Sequence, residues 1–393
     1  MTRILQGNRA AWKMTGNQQS TTCAGTLSIL FTIPNFITAG SGRAMLDIIE
    51  RLDRTRFAPA VCVSRKGGDL DHAVEQLKIP FIQAPHTVPA RPYFTLLLRA
   101  WQAARAFRSH HFALWHSFHY LDDYTEPIIA RMAGARAWIY TKKNMGWGSR
   151  AWRLRTRFAS RIAALNSEMM RTFFSNGASF RKARQITRGV DSSRFVPGAE
   201  PKLAIRSRFN IAPDAIVVAC VAQLVPVKGH PTLLNALATV PNVHLLIAGS
   251  PLDQDYAESL HKQVAQLSLS DRVHFLGAVK QVPALLAESD IFVLPSRKEA
   301  CGVALLEAMS CGRPCVATDV SGPRDLLEHR RSGLIVPPEN AAALAVELRE
   351  LVASPDLRRR LGCAARQRVI ERFTIEKEVA THEALYAEFL KLR

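Results

Sequence analysis

Short apolar runs alternate with segments of helical spacing along nearly the whole chain. This alternation constrains the fold more than any other feature. Strand, helix and strand in succession is the repeating unit of a parallel sheet covered by helices on both faces. TLSILFTIP (26–34), APAVCVS (58–64), PFIQA (80–84), FALWHSF (112–118), AWIYTKK (137–143) and RIAALNS (161–167) read as one series of strands, with QITRGVD (185–191) closing it. AIVVACVAQL (215–224), VHLLIAG (243–249), VHFLG (273–277), IFVLPS (291–296), PCVAT (314–318) and GLIVPP (333–338) read as a second. Helical spacing falls at 43–53, 70–79, 93–107, 231–240 and 339–352. The pattern predicts two doubly wound, Rossmann-like α/β domains over residues 25–197 and 198–370. A terminal helix within 371–393 is expected to pack back across the junction, and residues 1–24 to form a disordered lead-in.

A chain of 393 residues, 48% hydrophobic, is long enough for two such cores. No apolar run reaches the roughly eighteen residues that would span a bilayer, and the first 24 residues lack the apolar centre of a secretory signal. Seven scattered cysteines without a CxxC pair point to reduced thiols and a cytoplasmic protein. Cys311 and Cys315 lack companion ligands, so no metal is expected.

The net charge of +19 is unevenly spread: residues 1–200 hold 29 Lys and Arg against 12 Asp and Glu, and the remainder holds 23 against 21. The excess is densest from Arg131 to Arg188, with 14 basic residues and one acidic residue, Glu168. Such a run reads as a face for an anionic membrane or an acidic acceptor, or else as ordinary solvated arginines. Lys142, Lys143, Arg150, Arg153 and Arg157, with Trp147 and Trp152 among them, form the expected docking stretch. Nothing resembles a zinc finger, an RRM signature or a helix-turn-helix, so nucleic acid is not an expected partner.

Four short stretches carry candidate chemistry. In EACGVALLE (299–307), Glu299 falls in a strand-to-helix loop and Glu307 on the second turn of an apolar helix. Both can face the crevice at the carboxyl ends of parallel strands. An acid on an apolar helix face needs partners, and vicinal hydroxyls suit a carboxylate, which accepts from both. In VAQLVPVKGH (221–230), Lys228 and Gly229 precede a helix, where unpaired N–H groups and the helix dipole favour a phosphate. In AGSGR (39–43), Gly40 and Gly42 allow close backbone approach at a helix start, or simply make a tight turn. In LWHSFHYLDD (114–123), His116 and His119 stand near Asp122 and Asp123 as acid–base groups, sugar contacts, metal ligands or plain loop residues.

SRKEACGVALLEAMSCGRPCVATDVSGPRDLLEHRRSGLIVPP (296–338) resembles the signature of retaining GT-B glycosyltransferases of family 4, the glycosyl transferases group 1. VAQLVPVKGHPTLLNAL is similar to that family's phosphate-binding segment, RGVDSSRFVP to its interdomain linker, and TAGSGRAMLDIIERLD to its first turn and helix. The resemblance implies two Rossmann-like domains facing across a cleft. It implies that Glu299 contacts the donor sugar, Glu307 the ribose and Lys228 the diphosphate. The amides of Cys301, Gly302 and Val303 would cap phosphate and sugar, Gly40 would approach from the other domain, and His116 or His119 would reach the sugar. The expected reaction moves a sugar with retention from a nucleotide sugar, UDP-linked by preference, to a glycan or lipid-linked acceptor of cell-envelope or polysaccharide biosynthesis. No metal or cofactor is implied. The expected place of action is the cytoplasm, peripherally on the cytoplasmic membrane face. The chain departs from the family pattern at Gln223, where arginine is common, at Ala300 and Cys301, at Ala39 and at TKKN (141–144). Two other readings stay open: a nucleotide-sugar or anionic-lipid binding protein without turnover, and a sugar-nucleotide epimerase.

Overall fold

Apolar residues at almost every position, rather than every second one, mark strands covered on both faces. The computed structural model describes residues 26–37, 39–120, 122–146, 149–198 and 204–390, and there those strands form two parallel sheets. The expected lead-in over 1–24 lies outside the described residues. In chain order the first sheet contains β1 (Leu27–Ile33), β2 (Phe57–Val63), β3 (Phe81–Gln83), β4 (Leu114–Ser117), β5 (Ala137–Lys142), β6 (Arg161–Ala164) and β7 (Ala183–Gln185). They pair in the order β3-β2-β1-β4-β5-β6-β7. The second contains β8 (Ile216–Val221), β9 (Val243–Ala248), β10 (Val273–Gly277), β11 (Ile291–Leu294), β12 (Cys315–Thr318) and β13 (Leu334–Val336), ordered β10-β9-β8-β11-β12-β13. In each sheet the strand order reverses beside the first strand, which opens a crevice at the carboxyl ends there.

In the first sheet, one face is covered by helices Ala39–Arg51 and Asp71–Gln76, and the other by Leu96–Ala104, Thr125–Met132, Arg150–Phe158 and Ser167–Phe173. The C-terminal helix Ile375–Ala387 crosses back and buries Leu385 and Tyr386 in the first of these cores. The crossing is fixed by backbone: Val190 N donates to Phe373 O at 2.9 Å and Ile375 N to Val190 O at 2.9 Å. Gly189 permits it, since a Cβ there would lie 2.3 Å from Thr374 O. Helix Pro355–Arg372 is not among the helices expected from spacing. It buries only a narrow stripe, Leu361, Gly362, Ala365 and Val369, under a surface crowded with arginine, so its apolar period is weak. Among the described residues no helix is long and apolar enough to cross a membrane.

Candidate active site

The carboxyl ends of both sheets open onto one cavity of about 680 Å3. Gly40, Lys143 and Arg188 line it from the N-terminal domain, and Gln223, Lys228, Glu299, Cys301, Gly302, Val303 and Glu307 from the C-terminal one. The residues that sequence reasoning assigned to a donor therefore meet in one place, the two histidines excepted. Lys228 ends a 3-10 turn, Pro226–Lys228, and its Nζ donates to Glu299 Oε2 at 2.6 Å. Gly229 follows at φ +70°, and a Cβ there would sit 2.0 Å from Pro295 O, so only glycine lets the lysine loop lie against the glutamate loop. Arg297 N donates to Val227 O at 2.9 Å and ties the two loops together.

Beyond Glu299, Gly302 adopts φ +78° and opens helix Val303–Ser310. This leaves the first amides of the helix directed at the cavity, where the dipole favours an anion. Gly322 N donates to Glu299 O at 2.8 Å, which holds the loop from behind. Glu307 is half-buried and has no side-chain hydrogen bond among the described residues. Loss of hydration pushes its carboxyl up to about 7, against the pull of Arg194. A carboxyl so placed is suited to a ligand that brings hydroxyl donors.

The N-terminal wall differs from expectation. His116 is buried and does not line the cavity: its Nδ1 lies 2.7 Å from Tyr386 Oη and its Nε2 2.9 Å from Thr141 Oγ1. Burial lowers its pKa well below the usual histidine range. His119 is also buried, with Nε2 2.7 Å from Glu126 Oε2 and 3.3 Å from Arg155 Nη1. Neither histidine reaches the cleft, because the strand end and the loop after it turn both into the helix-covered core. His86, His119 and Glu126 bring their ligand atoms within 4.8 Å of one another, the one metal-like cluster among the described residues. The Arg155 guanidinium, 3.7 Å from Glu126 Oε2, already supplies the positive charge there and leaves an ill-suited site for a cation.

Groups that sequence reasoning passed over face the cavity instead. His382 comes from the C-terminal helix, with burial taking its pKa down to about 4. Arg188 holds Glu378 through two contacts of 2.7 Å and Asp47 at 3.1 Å. Burial opposes the charge of Arg188, but the two carboxylates outweigh it and raise its pKa. Tyr120 accepts a hydrogen bond from Ser41 Oγ at 2.9 Å. Arg188 had a signal, since it lies in the RGVD stretch taken only as a linker. Glu378 and His382 had none: Glu378 pairs with a residue 190 positions away, and His382 reaches the cavity only because the C-terminal helix crosses back.

The expected docking stretch is also redistributed. Lys142 is buried, donating to Asn144 Oδ1 at 2.6 Å and Gly146 O at 2.9 Å, and burial lowers its pKa to about 8. Lys143 lines the cavity, donates to Phe118 O, and is lowered well below the lysine range by burial. Neither lysine is a surface contact. Trp152 is core and Trp147 lies outside the described residues, whereas Arg150, Arg153 and Arg157 are exposed. Across the cleft, Asp325 accepts from Ser167 N and Oγ, both at 2.6 Å, and Asn166 Nδ2 donates to Ala300 O at 2.8 Å. The glutamate loop is thereby anchored to the opposite domain.

A family model described as glycosyl transferases group 1 matches residues 201–368. The match bears out the family resemblance over the C-terminal domain. The chain is 32% identical over 215 residues to a D-inositol 3-phosphate glycosyltransferase of Streptomyces bingchenggensis, covering 52% of this chain and 47% of the relative. It is 32% identical over 171 residues to the lipopolysaccharide core biosynthesis glycosyltransferase LpsE of Rhizobium meliloti, covering 44% of this chain and 49% of that one. The chain thus spans about half the length of these relatives. The fold match is wider: the crystal structure of Anabaena Alr3699/HepE in complex with UDP and glucose superposes with a TM-score of 0.78 at 24% identity, over 92% of this chain and 99% of that one. The two-domain architecture is the GT-B fold.

Proposed function

We propose that the chain is a retaining glycosyltransferase that uses a nucleotide sugar, UDP-linked by preference, and a glycan or lipid-linked acceptor. The observation that carries this reading is the Lys228–Glu299 pair, 2.6 Å apart beside the amides that open helix Val303–Ser310. On donor binding, Lys228 exchanges Glu299 for the diphosphate and frees Glu299 to hold the sugar. The developing charge on the leaving group is then met by the ammonium and the helix amides, a positioned electrostatic effect rather than acid catalysis. Glu307, on the nucleotide side, accepts from the ribose hydroxyls. In this reading retention follows because the freed Glu299 accepts from sugar hydroxyls while Glu378 stays held by Arg188, so neither carboxylate attacks the reacting carbon. The diphosphate itself is then the group beside the acceptor hydroxyl, and attack comes from the face it leaves.

The bound UDP in the Anabaena relative's structure supports the uridine preference, and the lipopolysaccharide core assignment of the Rhizobium relative supports an envelope acceptor. Six described cysteines, all free, support a cytoplasmic location. Thermal unfolding with a panel of UDP-, GDP- and ADP-sugars tests the donor, since a ligand that binds only the folded chain raises its stability. UDP-sugars are expected to give the largest shift. Lys228→Ala should weaken UDP binding roughly tenfold or more, the loss of one charge-assisted contact. UDP affinity unchanged in that variant would remove the assignment. Isomerisation of a UDP-sugar without any acceptor would favour the epimerase reading instead.

A further inference from the structure

The 3-10 turn Tyr93–Thr95 and helix Leu96–Ala104 bury Leu96, Ala100, Ala103 and Ala104 against the first sheet, as a surface helix should. Their outward face is the anomaly. Phe94 is 88% exposed, Tyr93 63%, Leu97 62%, Leu98 55% and Trp101 41%. These positions recur at one- and three-residue steps, so they make a continuous apolar stripe where polar side chains belong. The stripe is held in place: Arg99 Nη1 donates to Arg91 O and its Nη2 to Pro92 O, both at 2.8 Å, bracing the turn that carries Tyr93 and Phe94.

The charged side chains of this segment are all cationic. Arg105 and Arg108 lie over the Trp101 ring at 5.4 and 5.5 Å, and Arg91 lies 5.8 Å from the Tyr93 ring. No Asp or Glu occurs anywhere from residue 76 to residue 121. Helix Arg150–Phe158 covers the same sheet face and exposes Arg153, Leu154, Arg157 and Phe158. Arg108 Nε donates to Met132 O at 3.3 Å, joining the stripe to the intervening helix Thr125–Met132.

We infer that this face seats on an anionic phospholipid surface, with Tyr93, Phe94, Leu97, Leu98 and Trp101 entering the interface and the flanking arginines on lipid phosphates. An apolar stripe with Tyr and Trp, edged by arginine, matches the interfacial layer of a bilayer. A second copy of this chain is a poor occupant. A two-fold contact sets the same patch on itself, and here it would oppose arginine to arginine with no carboxylate from this segment between them. The docking surface is therefore centred on residues 91–108, not on the expected run from Lys142 to Arg157. It does not depend on what the cleft catalyses.

Sedimentation of the full chain with vesicles tests this. Binding is expected to mixed phosphatidylglycerol and phosphatidylcholine vesicles, weaker at high salt, with little to pure phosphatidylcholine. The triple variant Phe94→Ser, Leu97→Ser, Leu98→Ser should lose at least about tenfold in vesicle affinity while keeping its UDP-induced thermal shift, which separates docking from folding and from the cleft. Arg105→Glu with Arg108→Glu should weaken binding to anionic vesicles only. Five results would each overturn the inference. One is no binding to anionic vesicles, and a second is full binding by the triple variant. The third is loss of binding through Arg150→Glu, Arg153→Glu and Arg157→Glu with the triple variant unaffected. The fourth is a parent dimer without vesicle binding that the triple variant dissolves. Capture of an acidic protein in place of vesicles would overturn it as well.

Discussion

The two walls of the cleft are built by opposite means. The C-terminal wall is local: Lys228 and Glu299 come from βα turns of one sheet, and glycines at φ +70° and +78° bring backbone against backbone. The N-terminal wall is assembled from afar. Arg188 meets Glu378, 190 positions away, and behind the lining His116 meets Tyr386, 270 positions away. The first wall presents amides and the Lys228 ammonium, which favour an anion, beside the carboxyls of Glu299 and Glu307. The second presents buried ions and rings that are already paired with each other. A ligand bound against the first wall would thus meet groups whose partners it can replace, while the opposite side is kept rigid by contacts that a ligand does not need to break.

The largest effect expected is on the distant wall. Arg188→Met leaves Glu378 buried without its cation and should cost about 3–5 kcal/mol of stability, read from the denaturant midpoint. The double variant Arg188→Met, Glu378→Leu should recover much of that loss. If the single variant were as stable as the parent, the ion pair would not be what holds this wall.

On the local wall, Glu299→Gln should lower kcat/KM about a thousandfold, near 4 kcal/mol of transition-state stabilisation, and leave UDP affinity nearly unchanged. A comparable loss of UDP affinity would merge the roles of Glu299 and Glu307.

A smaller change separates backbone from side chain. Gly229→Ala forces φ +70° on an alanine and a contact of 2.0 Å with Pro295 O, and should cost about 1–3 kcal/mol. Gly40→Ala, whose Cβ would meet nothing within 4 Å, should leave the melting temperature unmoved. Equal destabilisation by both would erase the contrast between the two walls.

The mildest effect is pH. Burial raises the folded Glu307 carboxyl from 4.5 to about 7, so the folded chain binds more protons than the unfolded one between these values. The ligand-free protein therefore loses stability from this group as pH rises from about 4.5 to about 7. Affinity for UDP should move the other way, rising up to about tenfold from about pH 6 to about pH 8 as the carboxylate forms. Calorimetric titration of the parent and of Glu307→Gln checks this, and a variant with the same pH dependence would place the titrating group elsewhere.

Strand positions, the parallel order they imply, and the meeting of Lys228, Glu299, Gly302 and Glu307 were legible in the sequence. The signals for them are local: apolar runs of strand length, a glycine before a helix, an acid on an apolar turn. In a parallel sheet every such βα turn opens at the same edge, so residues read one turn at a time arrive together. The fates of His116, His119, Lys142 and Lys143 were not legible. Each looked like a polar group at a strand end, and each was decided by what packs over that end: Tyr386 on His116, Glu126 and Arg155 about His119, Asn144 and Gly146 about Lys142, and Phe118 beneath Lys143. Helix Pro355–Arg372 stayed hidden because its buried stripe is too narrow to set a period. The sequence by itself determined which residues lie at the sheet edges. Only the tertiary structure decided which charged side chains turn inward, because burying a charge depends on a partner supplied from far along the chain.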